Sequence, residues 1–126
     1  MHTFDLTWGL PHNGRTCRRA VLRPLTIGGE LAAIAEIDEL PPLADDAAAS
    51  AQTERGVRET LIYWSHQISI EGVPPDVLTA DYLMDNLVSE DYKQILGEMA
   101  ILVKKSTAAS DGHAPDETAA QAETGA

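Results

Sequence analysis

Thr3-Phe4-Asp5-Leu6-Thr7-Trp8-Gly9-Leu10, followed by Pro11-His12-Asn13-Gly14, decides how this chain begins to fold. Phe4, Leu6, Trp8 and Leu10 alternate with polar or small residues, the period of a strand with one buried face. Asn13-Gly14 supplies two residues that tolerate positive φ, the signature of a two-residue hairpin turn. Residues 15–23 then return as the second strand, with Cys17, Val21 and Leu22 as apolar members and Pro24 closing it. Arg15, Arg18, Arg19 and Arg23 are expected on the solvated face or edge of that strand, where charge discourages pairing between sheets.

Beyond the hairpin the period changes from two to that of a helix. Thr26 is a plausible N-cap for a helix over residues 27–38, whose apolar stripe is Ile27, Leu31, Ile34 and Ala35. Pro41-Pro42 ends it, and residues 41–53 read as a flexible small-residue insertion. From Glu54, the residues Val57, Leu61, Trp64 and Ile68 recur at spacings of four, three and four, a stripe of about three turns. Glu71-Gly72-Val73-Pro74-Pro75 breaks that helix. Thr79 then caps a short helix over residues 80–88, and Ser89 caps a last one. Glu90-Asp91 suit the positive end of its dipole, and Tyr92, Ile95, Leu96, Met99, Leu102 and Val103 form its expected buried stripe. The expectation is one small α+β domain over residues 1–105, an N-terminal β-hairpin followed by about four helices, and a disordered acidic, alanine-rich C-terminal tail over residues 106–126.

Composition narrows the function. Of 126 residues 18 are alanine, and 12 of these fall in the insertion and the tail, where Leu43 is the only large apolar residue. The remaining sequence therefore keeps a normal density of core formers. No apolar run exceeds five residues, far short of the ~20 that span a bilayer, and the N-terminus lacks the pattern of a secretory signal. The single cysteine fits a reducing cytoplasm and offers no zinc pair. The net charge of −11 is uneven: residues 1–25 are net +3, whereas the rest is acidic and repels a phosphate backbone.

No catalytic or metal set emerges, and no cofactor or enzyme activity is expected. His66 has Glu59 and Glu71 as its nearest acids in that segment, but a metal or acid/base pair on one helix face wants spacings of three or four, and 66 to 71 is five. His2 and His113 lie near the ends, and His12 in the turn reads as solvated. Asp81 and Asp85 share a helix face yet lack the alternating ligands of a calcium loop. Gly28-Gly29 opens a helix without the Lys-Ser/Thr of a phosphate loop, and Cys17 reads as core packing. Tyr63 and Trp64 are adjacent, so at most one faces a core squarely and the other is a candidate contact residue. The arginines of the hairpin offer a second reading, a small regulatory module contacting nucleic acid, which the overall charge disfavours.

Two stretches carry a resemblance. Val21-Leu22-Arg23-Pro24-Leu25-Thr26-Ile27-Gly28-Gly29-Glu30-Leu31 resembles the L-R-x-P-T-x-G-D-L stretch of the tail assembly chaperones of Mu-like and related long-tailed phages. Ile70-Glu71-Gly72-Val73-Pro74-Pro75-Asp76-Val77-Leu78 and the helices after it are similar to that family's L-x-G-L-P-x-x-x-L turn and D-x-x-x-L helices. Arg23-Pro24 lacks the residue the family places between Arg and Pro, and Glu30 stands where it has Asp. The resemblance spans residues 3–104 apart from the insertion. It implies a non-enzymatic protein of the host cytoplasm, not expected in the mature virion, that binds the helical tape-measure protein and recruits tail-tube subunits. Self-association is compatible with that role, and a frameshifted longer form would start near Lys104-Lys105. The contact residues expected on the helical half are Tyr63, Trp64, Tyr82, Leu83, Leu87 and Tyr92.

Overall fold

A computed structural model describes residues 1–113, with side chains through residue 104. Its N-terminal hairpin joins β1 (His2–His12) to β2 (Arg15–Leu22) through Asn13 and Gly14, both at positive φ as a two-residue turn requires. The remaining elements are α1 (Ile27–Asp38), α2 (Ala49–Ser65), β3 (Ile68–Ile70), α3 (Ala80–Asn86) and α4 (Ser89–His113). The fold is α+β: a three-stranded antiparallel sheet in the order β1-β2-β3, with four helices. One core joins Leu6, Leu10, Ala20 and Leu22 of the hairpin to Leu61 and Trp64 of α2, Leu83 of α3, and Ile95 and Leu102 of α4.

β3 departs from the expected helix. Ile68, placed by its spacing on the α2 stripe, lies instead on a strand whose Ile68 and Ile70 point into the core. Helix α2 stops at Ser65, and Ile68, Ser69 and Ile70 pair with Leu22, Val21 and Ala20. The backbone N–H of Arg23 donates to Gln67 (2.8 Å) and that of Glu71 to Arg19 (2.9 Å), extending the ladder at both ends. Gly72 turns the chain at φ +95°, and a Cβ there would lie 2.8 Å from Cys17 Sγ.

The start of α2 also differs. Ala49 opens it, five residues before Glu54, so the loop between α1 and α2 is residues 39–48 rather than an insertion reaching 53. Alanine is the strongest helix former, and the absence of bulk that reads as a linker is compatible with a helical turn. Thr26 and Thr79 cap α1 and α3 as expected, accepting from the N–H groups of Gly29 and Tyr82. The first carbonyl of α4 comes from Val88, not from a Ser89 cap: Tyr92 N–H donates to it at 3.0 Å. The backbone of α4 continues to His113, and of the expected disordered tail residues 114–126 lie outside the described residues.

Two expected buried stripes are rearranged. On β1, Leu6 and Leu10 are buried and Phe4 is half-buried, but Trp8 is 58% exposed. Between the Asp5–Arg19 and Leu10–Cys17 pairs β1 has four residues and β2 only Arg18, a wide bulge that reverses the facing of Trp8. On α1, Ile27, Leu31 and Ile34 are 80%, 62% and 39% exposed, whereas Ala33 is fully buried. Small residues bring α1 close to α2, and a Cβ on Gly29 would already stand 3.5 Å from the Cβ of His66.

Candidate functional site: an apolar groove between three helices

The bulge in β1 fixes where α4 sits. Its backbone groups lack strand partners, and α4 supplies them. The Asp91 carboxylate, fully buried, accepts from Gly9 N–H at 2.9 Å and from Trp8 N–H at 3.2 Å. Gln94 accepts from Thr7 N–H (3.1 Å) and donates through Nε2 to the Asp5 carbonyl (2.8 Å). Glu90 bonds the Trp8 indole N–H, and Glu98 bonds His2, which also stacks on Phe4 with ring centroids 5.9 Å apart. His2 is thus half-buried and engaged, not merely terminal. Asp91, read from sequence as a helix-dipole residue, is the chief tie between helix and sheet.

With α4 held against β1, its opposite flank stands away from α2 and α3. The gap is a largely apolar groove of roughly 450 Å³, walled by Val57 and Leu61 of α2, Leu83 and Met84 of α3, Leu87 after it, and Tyr92 and Leu96 of α4, with Ser89 and Lys93 of α4 completing the lining. Leu96 is 46% exposed and Val103, two turns farther along α4, is also exposed, so the expected six-residue buried stripe is half open. Ile95 and Leu102 face the core; Tyr92, Leu96, Met99 and Val103 form the neighbouring strip. From Tyr92 to Val103 that strip runs about 16 Å, three helical turns.

Three of the expected contact residues, Leu83, Leu87 and Tyr92, therefore come together in the groove. Leu83 is buried at its floor, while Leu87 and Tyr92 are half-buried in its walls. Trp64 is a core residue rather than a surface contact, with the Tyr92 ring packed on it at a centroid distance of 5.0 Å. Tyr63 is half-buried and outside the groove lining. Tyr82 also lies outside it, and its hydroxyl donates to the Pro11 carbonyl at 2.6 Å, tying α3 to the hairpin turn. Burial holds the Tyr82 phenol above its usual pKa, with the charge of Cys17 a lesser cause. Sequence reasoning missed Met84 and assigned Val57, Leu61 and Leu96 wholly to the core; their spacing marks an apolar face but not where the neighbouring helix stops covering it.

The other candidates disperse. His66 pairs with Glu36 of α1 at 2.6 Å, not with Glu59 or Glu71. Asp81 pairs with Arg58, leaving Asp85 exposed, and the side chain of His113 lies outside the described residues. Arg18 Nε donates to the Leu6 carbonyl inside the bulge (2.9 Å), Arg19 Nε to Asp5 (2.7 Å), and Arg23 to Ser69 Oγ. The hydrogen bond from Arg19 and the charge of Asp5 raise the guanidinium pKa further. Among the described residues no three His, Cys, Asp or Glu side chains are grouped to hold a metal, and no helix is long and apolar enough to cross a membrane. Compared with known proteins, the chain matches no protein family, no curated sequence and no solved structure.

Proposed function

We propose that the chain is a tail assembly chaperone whose groove holds an amphipathic helix of a tape-measure protein. The reading rests on the resemblance of residues 21–31 and 70–96 to that family, and one observation carries it on the molecule. A largely apolar groove open to solvent lies on the acidic helical half, lined by three of the six expected contact residues, Leu83, Leu87 and Tyr92, and the apolar strip of α4 runs on from it past Leu96. A helix-in-groove contact needs this arrangement, because the ligand buries anchors at i, i+3/i+4 and i+7 against a preformed apolar wall. A long tape-measure helix exposes such a face until the tail tube covers it, and a carrier with net charge −11 keeps the pair in solution. The nucleic-acid reading has less support, since Arg18, Arg19 and Arg23 all donate hydrogen bonds within the sheet.

Co-expression with a tape-measure protein of a long-tailed phage, taken from the gene neighbourhood where one is encoded there, tests the proposal. The expected outcome is a soluble complex that is lost with Leu96→Arg, a substitution at a half-exposed wall residue that leaves the melting temperature unchanged. Equal tape-measure solubility with and without this chain, and no recovered complex, would refute it.

A further inference from the structure

The face of α1 poses a different problem from the groove, and none of its residues lines the groove. Ile27, Leu31 and Ile34 follow one another at spacings of four and three, the period of a helix-pairing seam. They are exposed, while Ala33 is fully buried and Gly29 lies against His66, just after α2. A helix whose whole task was to cover α2 would turn its large aliphatics inward. This one is held by small residues and the Glu36–His66 pair, and presents its aliphatics outward.

The charge around the seam states what fits it. Glu30, Asp38 and Glu39 lie on or beside α1, and residues 26–54 hold seven acids and no Lys or Arg, two of the seven, Glu36 and Glu54, being paired with His66 and Arg58. Two copies joined through α1 would bring two such surfaces together, and antiparallel pairing about Leu31 would set the two Glu30 side chains near each other, which disfavours a second copy. An anionic lipid surface is disfavoured for the same reason. Residues 106–126 contain no large apolar side chain to fill the seam from within the chain, and they add four acids. From these observations we infer that α1 docks a basic amphipathic helix of another protein, with apolar residues on the Ile27–Leu31–Ile34 seam and Lys or Arg side chains over Glu30 and Asp38.

The test uses the full chain and two peptides of roughly 14 residues. Both carry leucines along one helical face; one has lysines and the other glutamates on the remaining positions. The leucine–lysine peptide is expected to bind, with an affinity that falls as salt is raised, and Leu31→Gln with Ile34→Gln should weaken it by roughly tenfold or more. Leu96→Gln, in the groove, should leave that affinity unchanged, which separates this surface from the proposed tape-measure site. Equal binding of the leucine–glutamate peptide overturns the charge requirement, and an affinity indifferent to the α1 double variant overturns the site. Failure of both peptides to bind overturns the proposal. So does a dimer, seen by sedimentation, that the double variant dissociates.

Discussion

Asp91 is the residue on which the most backbone depends. Two N–H groups of the β1 bulge, the part-buried one of Trp8 and the buried one of Gly9, end on its buried carboxylate. Removing the acceptor leaves the buried Gly9 donor unsatisfied, at about 1–3 kcal/mol, and the part-buried Trp8 donor at less. Asp91→Ala should therefore lower the urea-unfolding free energy by about 2 kcal/mol or more, and Asp91→Asn, which keeps one acceptor oxygen, by less; a loss under 0.5 kcal/mol for Asp91→Ala would contradict the assignment. Gly9 is fixed by the same bulge. At φ +87°, an added Cβ would lie 2.9 Å from the Cys17 carbonyl oxygen and 2.7 Å from Arg18 Cγ. Gly9→Ala is expected to cost more than ~1 kcal/mol, whereas Gly14→Ala, also at positive φ but with open space around it, should cost less. Tyr82 adds a pH dependence. Its pKa is raised in the folded state, so the stability it contributes is complete below the ordinary phenol value near 10 and is lost as pH rises through the higher folded value. Unfolding free energy should fall more steeply above pH ~10 in the wild type than in Tyr82→Phe. Parallel curves would remove that role.

At the scale of elements, the hairpin was legible from Phe4 to Leu22 because its signals are local: alternation, then Asn-Gly, then alternation again. The helices α1, α3 and α4 were legible for the same reason, from Thr26, Thr79 and the apolar spacing in residues 92–103. What escaped was set by tertiary partners. Ile68 fits a helical stripe and a strand equally well, and only pairing with Leu22 decides for β3. Trp8 obeys the alternation of β1 until a bulge, stabilised by residues more than 80 positions away, turns it outward. The inversion of α1 is likewise invisible to periodicity, which marks an apolar face but not which neighbour it meets. The groove was half legible: Leu83, Leu87 and Tyr92 were expected contacts, but Trp64 went to the core and Tyr82 to the Pro11 carbonyl. The inversion predicts an unusual pair of mutational effects. Leu31→Gln, at a large aliphatic residue, should change stability by no more than about 0.5 kcal/mol, whereas Ala33→Leu should cost about 1–3 kcal/mol by pushing α1 off α2. Thermal melts of the two variants read this directly, and the opposite ranking would place the aliphatic face of α1 inward.

For the whole molecule, the apolar surface left open and the sign of the charge belong together. The groove and the α1 seam are two apolar strips on a chain that carries 20 acidic against 9 basic residues. Exposed strips of this kind promote association, and a strongly negative net charge opposes it among identical copies while still admitting a partner of opposite or neutral character. Among the described side chains Leu102 is the last buried one, and residues 114–126 add three acids but no large apolar group. Their contribution should therefore be to charge rather than to packing. A chain ending at His113 is expected to melt at the same temperature as the full chain, because the removed residues carry no large apolar side chain. It should also self-associate at a lower protein concentration, since its net charge is less negative by three while both strips stay open. Melting curves and light scattering at low ionic strength separate the two effects. A lowered melting temperature would mean that residues 114–126 pack against the body, and unchanged scattering would mean that charge is not what keeps the two strips apart.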